Sequence, residues 1–138
     1  MLKPLCIVLA ALIGLAGCSK SSTDPHGALL TAGTWQVYSH YAVATPTVGG
    51  PSTSYGGLSA PGATVDYRAD GTLLQKFGSS YPSESGTYTL AGAKLTQTIS
   101  GKPSHASTIR VMTANRLELD SDSEIAGYRY VGTWTYVR

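Results

Sequence analysis

The sequence predicts an all-β fold, an eight-stranded antiparallel up-and-down barrel. Three observations predict it: helical periodicity is absent after residue 27, strand-like segments recur at short intervals, and tight turn sequences separate them. The nine tyrosines and many threonines also suit strands, because aromatic and β-branched side chains pack well on a pleated surface. The predicted strands cover residues 33–44, 62–69, 71–78, 85–91, 93–100, 105–113, 115–121 and 127–137.

Most turns between these strands are short. Asp70-Gly71 is the strongest hairpin signal, and residues 91–93 (Ala-Gly-Ala) and 114–115 (Ala-Asn) follow it. Because a tight turn joins antiparallel neighbours, we expect consecutive strands to pair in order as a meander.

The connection between Ala44 and Pro61 is the exception. A loop of this length inside a compact domain is usually functional or disordered. Tyr55 and Leu58 are its main large apolar residues, and they could fold over the mouth of the barrel as a lid. A mobile surface loop is the equally favoured alternative.

Alternation along the strands predicts one apolar face and one polar face. Rolling the sheet closed buries the apolar face and removes both sheet edges, and the interior of an eight-stranded barrel is either filled or holds one small ligand. The residues assigned to the inner face are Trp35, Val37, Tyr41, Val43, Val65, Tyr67, Leu73, Phe77, Tyr88, Leu90, Leu95, Ile99, Ile109, Val111, Leu117, Leu119, Tyr128, Tyr130, Trp134 and Tyr136.

Five polar residues, Ser39, Gln75, Gln97, His105 and Ser107, fall on the same inner face. A pocket lined by aromatic side chains and a few polar groups is typical of small-molecule sites. The favoured alternative is that these residues lie near the barrel ends in water or bond to one another, because a register error of one residue inverts the faces. The same alternation places His40 on the outer face.

The first 18 residues predict export. A short apolar segment follows Lys3; it is too short to span a bilayer, and its flanks are those of a secretory signal. It ends in Ala16-Gly17-Cys18, which resembles the lipobox of bacterial lipoproteins. That resemblance implies cleavage before Cys18, diacylation of its thiol, and acylation of the new amino group with a fatty acid such as palmitate. A plain signal peptide with a coincidental cysteine is the alternative.

We therefore expect three regions: a lipoprotein signal peptide at 1–17, a flexible polar tether at 18–27, and a barrel domain at 28–138. Cys6 would leave with the signal and Cys18 would carry lipid, so the domain has neither a disulfide nor a thiol nucleophile. Ser19 resembles the residue after the cysteine in Gram-negative lipoproteins of the outer membrane. We expect the periplasmic face rather than the cell surface, because no acidic run follows the cysteine.

Four segments of the predicted barrel resemble bacterial lipocalin-like lipoproteins. They are residues 29–35, which contain Gly33-Thr34-Trp35, then 67–73, 85–90 and 115–119, in order along nearly the whole domain. The resemblance implies a lipocalin-like barrel with an apolar pocket, and it names no ligand.

Lipocalins also stack a basic residue of the last strand on the tryptophan of the first strand. In this chain Arg138 or Arg129 could occupy that position against Trp35, and the sequence leaves both open. The central Thr-Asp-Tyr motif and the disulfide of animal lipocalins are absent.

Composition and motifs favour a binding protein over an enzyme. The chain has 10 basic and 8 acidic residues with no basic cluster, which argues against a nucleic-acid partner. It contains no Gly-x-Ser-x-Gly elbow, paired-histidine metal motif or phosphate-binding glycine loop, so we expect no catalysis and no cofactor. We also expect a monomer.

Asp120, Asp122 and Glu124 alternate and would share one face if the strand continues. Three carboxylates could hold Ca²⁺, but the glycine and closing glutamate of the calcium loop are absent. A solvated strand end is favoured, with no metal.

Two functional hypotheses follow. The first is an envelope-anchored protein whose barrel binds a small apolar or amphipathic ligand. The alternative is a non-enzymatic interaction or inhibitor protein with a filled barrel that acts on a protein partner. An apolar void of about 300 Å³ or more would favour a ligand. The predicted ligand-binding residues are Trp35, Tyr41, Tyr55, Leu58, Gln75, Tyr88, Gln97, Tyr128, Tyr130 and Trp134.

Overall fold

The structure, a computed structural model, describes residues 24–59 and 61–138. In these residues it contains one short helix and nine strands. The helix is α1 (Pro25–Leu30), and the strands are β1 (Trp35–Pro46), β2 (Thr53–Leu58), β3 (Ala63–Tyr67), β4 (Thr72–Phe77), β5 (Glu84–Ala91), β6 (Lys94–Ile99), β7 (His105–Met112), β8 (Arg116–Ile125) and β9 (Tyr128–Val137).

Eight strands close into an antiparallel barrel. The order is β1-β3-β4-β5-β6-β7-β8-β9, and β9 pairs back with β1 from Gln36↔Val137 to Pro46↔Tyr128. Every one of these strands corresponds to a predicted one, so the predicted fold class is confirmed. The differences lie at the ends: β8 continues to Ile125, beyond the expected residue 121.

The ninth strand, β2, lies in the segment predicted as a lid or a mobile loop. It pairs with β1 from Ser39↔Leu58 to Ala44↔Thr53. The reason is that β3 pairs with only Trp35 and Gln36, so the rest of that edge of β1 would otherwise lack backbone partners. Residues 53–58 therefore extend the wall of the barrel.

The helix α1 begins within the last residues of the predicted tether. Asp24 caps it by accepting a hydrogen bond of 3.0 Å from the backbone N–H of His26, and Pro25 occupies the first turn. The last three residues of the expected tether, 25–27, are thus helical. Leu30 at the other end of the helix is fully buried in the barrel core.

The predicted signal segment 1–17 and Cys18 lie outside the described residues. Within residues 24–59 and 61–138, no helix has both the length and the apolar character needed to cross a membrane.

The core fills one end of the barrel, which we call the closed end. The closed end is next to α1 and contains the first residues of β1 and β4 and the last residues of β3. Its buried residues are Leu30, Trp35, Val65, Tyr67, Leu73, Leu95, Ile109, Leu117, Leu119 and Tyr136.

A β-bulge in β1 changes which of its side chains face inward. The pairing with β9 shifts by one residue between Val37 and Ser39, so alternation restarts there. His40 and Ala42 consequently face the interior, whereas Tyr41 is 56% exposed on the outside. The predicted inner positions of Ser39, Tyr41 and Val43, and the predicted outer position of His40, are wrong for this reason.

A second bulge lies in β7 between Ile109 and Val111. It makes Met112, opposite Leu117, the residue that packs against the core. Val111 instead pairs with Glu118, whose carboxylate lies on the outer side of the barrel between two arginines. The predicted inner position of Val111 is therefore also wrong.

Candidate ligand-binding cavity

The barrel is hollow at the end opposite α1, which we call the mouth. A cavity of about 590 Å³ occupies this half of the interior. It lies within the range of roughly 300–1,000 Å³ that is typical of small-molecule sites. Phe77, Leu58 and Ile125 line it at the ends of their strands and are 44%, 73% and 60% exposed, so the cavity opens to solvent there.

Most of the surface that lines the cavity is apolar, although polar side chains are as numerous as apolar ones in its walls. The apolar members are Val37, Ala42, Leu58, Ala63, Val65, Phe77, Ile99, Pro103, Leu119, Ile125 and Trp134. The polar or titratable members are His40, Ser59, Thr64, Gln75, Lys76, Gln97, Lys102, His105, Ser107, Ser121, Ser123, Tyr130 and Tyr136. This mixture can hold an apolar molecule and also orient a polar group on it.

Half of the predicted ligand-binding residues line the cavity. These are Leu58, Gln75, Gln97, Tyr130 and Trp134. His105 and Ser107, which the strand register also predicted to face inward, line it as well.

The other five predicted residues lie elsewhere. Trp35 is fully buried in the closed end, and Tyr88 packs there against Tyr67, with the ring centroids 5.1 Å apart. Tyr41 is turned outward by the bulge. Tyr55 on β2 and Tyr128 on β9 are half exposed and do not line the cavity.

The floor of the cavity carries a buried hydrogen bond. Gln97 donates from Nε2 to the hydroxyl oxygen of Tyr67 over 2.8 Å. Burial raises the pKa of Tyr67, with smaller contributions from Tyr136 and Tyr88, and burial also raises the pKa of Tyr136. Both phenols are therefore neutral at ordinary pH. The Gln97 amide retains its oxygen and a second N–H that could serve a ligand.

One wall of the cavity contains a stacked pair that the sequence did not predict. The rings of His40 and Trp134 lie 4.9 Å apart at an angle of 22°. The bulge in β1 brings His40 into register opposite Trp134 on β9. Nothing in the alternation of β1 signals this bulge, since it becomes visible only when β1 is paired with β9.

Lys102 and Glu84 form an ion pair at the mouth. Lys102 Nζ donates to both carboxylate oxygens of Glu84 over 2.7 Å. It also lies 5.8 Å from the centroid of the Phe77 ring. Both partners are partly exposed, so solvent weakens the pair.

Trp35 and Arg138 seal the closed end. The guanidinium carbon of Arg138 lies 3.7 Å from the centroid of the Trp35 ring, and Trp35 Nε1 donates to the carbonyl oxygen of Leu30 over 3.0 Å. The sequence left open whether Arg138 or Arg129 would stack there. Arg129 instead pairs with Asp122 on the outer face, from Nε to Oδ1 over 2.9 Å.

The carboxylates of Asp120, Asp122 and Glu124 lie on the outer face of β8. Asp120 accepts a hydrogen bond of 2.7 Å from the hydroxyl of Thr133, and hydrogen bonds from Arg129 lower the pKa of Asp122. Both aspartates therefore already have hydrogen-bond partners within the protein. Within residues 24–59 and 61–138, no group of three or more His, Cys, Asp or Glu side chains is arranged to hold a metal ion.

Comparisons of the chain with protein-family models, with curated proteins and with solved structures found no match.

Proposed function

We propose that this protein binds a small apolar or amphipathic molecule in the cavity of its barrel. One observation carries the proposal: the mouth half of the interior is a cavity of about 590 Å³, although the closed half is densely filled. Core side chains normally fill such a space, and an unfilled apolar cavity is costly unless something occupies it. The aromatic and polar lining is what a small-molecule site requires.

We further propose that the barrel acts at the bacterial outer membrane as a lipocalin-like lipoprotein. The support is the lipobox-like sequence ending at Cys18 and the segments of the barrel that resemble lipocalin-like lipoproteins. An anchored carrier or sensor would meet amphipathic molecules at the bilayer surface, where they are concentrated.

Native mass spectrometry would test ligand binding. The full chain, made by cell-free translation without lipid attachment, is incubated with a lipid extract of bacterial envelopes and weighed under native and denaturing conditions. We expect an additional mass that is lost on denaturation. A bare chain mass after this incubation would contradict the proposal and favour action on a protein partner.

A cavity-blocking variant provides the control for binding outside the barrel. Ser121 faces the cavity, and its partners on the two adjacent strands are the small residues Ser107 and Gly132. The phenyl ring introduced by Ser121→Phe therefore has room to enter the cavity. We expect this variant to lose the additional mass. The matched variant Ser85→Phe places the same side chain at an exposed position of β5 and should retain it.

The anchor has a separate test. The chain expressed in a Gram-negative host with an alkyne-labelled palmitate should incorporate the label and fractionate with the outer membrane, whereas Cys18→Ala should do neither. Labelling of the Cys18→Ala chain, or a wild-type chain without label, would overturn the lipoprotein proposal without touching the ligand-binding one.

A further inference from the structure

The lysine and histidine side chains that line the cavity have no acidic counterpart in its lining within the described part of the chain, and the carboxylate paired with Lys102 lies at the mouth outside this lining. Lys76, Lys102, His40 and His105 line the cavity, and no aspartate or glutamate does. Lys76 pairs with Thr64 at an outward-facing position of β4, and its side chain is exposed. Its ammonium therefore lies on the outer surface. Lys102 and the two histidines remain as the groups that a bound molecule meets.

Lys102 is held at the mouth by the loop between β6 and β7. Its backbone N–H donates to the carbonyl oxygen of Ile99 over 3.0 Å, and a hydroxyl hydrogen bond of 2.8 Å between Thr98 and Ser104 braces the same loop. The loop therefore fixes the backbone position of Lys102, and the ammonium of its side chain lies near Phe77. His105, three residues later, faces the cavity at the start of β7.

The interior below this point is unsuited to a charge. Val65, Leu119 and Tyr136 line the deep part and are almost completely buried, and the polar groups there are neutral. A charged end of a ligand would lose its hydration in that part, away from the ammonium of Lys102. The charge of an amphipathic ligand consequently belongs at the mouth, with its apolar part directed towards the floor.

We propose, resting on the ligand-binding function above, that the cavity selects an amphipathic anion, whose acidic group lies at the mouth against Lys102. In the free protein Lys102 is ion-paired with Glu84, but this pair is exposed and therefore weak. The ammonium has three N–H donors, so it can also donate to an acceptor on the ligand. Within the described residues no carboxylate lines the cavity, and the Glu84 carboxylate at its mouth is already paired with Lys102, so a cationic amphiphile has no free counter-charge there. A carboxylate and a phosphate monoester share the chemistry that this arrangement recognises.

Four probes of equal chain length test the proposal: dodecanoate, dodecyl phosphate, dodecanol and dodecylamine, below their micellar concentrations at pH 8. Binding to the full chain can be followed by fluorescence, because Trp134 lines the cavity and the other tryptophan, Trp35, is buried in the closed end. We expect the anions to bind about three- to fivefold more tightly than dodecanol, the factor of one exposed ion pair, and the amine to bind more weakly than dodecanol. The two anions compared with each other distinguish a carboxylate ligand from a phosphate ligand.

Three variants assign the effect to Lys102. Lys102→Met should abolish the preference for anions over dodecanol. Lys94→Met, at an exposed position of β6 that does not line the cavity, should keep the preference. Glu84→Gln should strengthen it, since this variant frees the ammonium.

The outcomes separate this inference from the proposed function. Equal affinity for dodecanol and the two anions, or an equal loss of all ligands in Lys102→Met, would overturn the selection of anions while the cavity remains a binding site. Failure of all four probes to bind the wild type would instead count against the proposed function, and the inference would fall with it.

Discussion

The guanidinium of Arg138 combines two kinds of contact at the closed end. Besides stacking on Trp35, it donates hydrogen bonds to the carbonyl oxygens of Leu29, Leu30 and Ala114. Burial lowers the pKa of Arg138, and its Nε atom is buried with no hydrogen-bond partner among the described residues. The arginine thus ties the last strand to α1 and to the turn before β8.

We expect Arg138→Lys to lower the free energy of unfolding by about 1–2 kcal/mol, because an ammonium cannot both cover the indole ring and reach three carbonyl groups. Urea denaturation would measure this change. Arg129→Lys, at the exposed pair with Asp122, is the control and should change stability little. Equal effects of the two substitutions would contradict the role given to Arg138.

Glu118 predicts a pH dependence of stability. Hydrogen bonds from Arg110 and Arg116 lower its pKa below the ordinary value of 4.5. A carboxylate whose pKa is lower in the folded state stabilises the fold fully above its unfolded pKa and loses that contribution as the pH falls through its folded pKa. We therefore expect Glu118→Gln to be less stable than the wild type at pH 7 by about 1 kcal/mol, since both arginines are half exposed.

The difference between wild type and Glu118→Gln should shrink below pH 4.5 and vanish once Glu118 is protonated in the folded protein. Urea denaturation from pH 7 to pH 3 would measure it. Glu124→Gln is the matched control on the same strand: among the described residues Glu124 lies opposite Arg129 but forms no hydrogen bond or ion pair with it, since Arg129 pairs with Asp122. A pH-independent difference for Glu118→Gln would show that its carboxylate acts by packing alone.

At the scale of the strands, glycine allows the backbones of β5 and β6 to approach closely. Gly86 on β5 lies between Leu73 on β4 and Ile99 on β6. A Cβ atom there would lie 2.2 Å from the carbonyl oxygen of Thr98, which is backbone and cannot rotate away. Glycine in a strand interior often marks such a close approach of another backbone.

We expect Gly86→Ala to lower the free energy of unfolding by about 1–3 kcal/mol, because β6 must move to admit the methyl group. The control is Gly57→Ala on β2, where a Cβ atom would meet nothing within 4 Å. Thermal unfolding followed by circular dichroism would compare the two variants. A Gly86→Ala protein as stable as the control would mean that β5 and β6 adjust without cost.

The whole molecule is divided into a filled half and a hollow half. Leu117 and Leu119 alternate on the inner face of β8 and are both almost fully buried, at 0% and 1% exposure. Leu119 borders the cavity, whereas Leu117 packs only within the closed end. The same truncation should therefore have different costs at the two positions.

We expect Leu117→Ala to cost about 3–5 kcal/mol and Leu119→Ala about 2 kcal/mol, because the first opens a void in a dense core and the second enlarges an existing one. Urea denaturation of the two variants would measure the difference. Equal costs would imply that the cavity wall is packed as tightly as the closed end, which would weaken the case for a ligand site.

The fold was largely predictable because the apolar face repeats on every strand and the turns carry strong local signals. Asp70-Gly71 joins β3 to β4, and the glycine adopts the positive φ of 83° that this turn requires. β2 escaped prediction because residues 53–58 lack alternation and are exposed throughout. Its strand conformation depends on the unpaired edge of β1, which is a property of the barrel and not of the segment.

The sequence by itself determined the all-β class, the order of the eight barrel strands and most of the inner face, because side-chain period and turn chemistry are local. Only the tertiary structure decided which side of β1 faces inward beyond Val37, since a bulge arises from pairing with β9. It also assigned Arg138 to Trp35 and left the mouth half hollow. The volume of a cavity depends on the distances between opposite walls, which no single strand specifies.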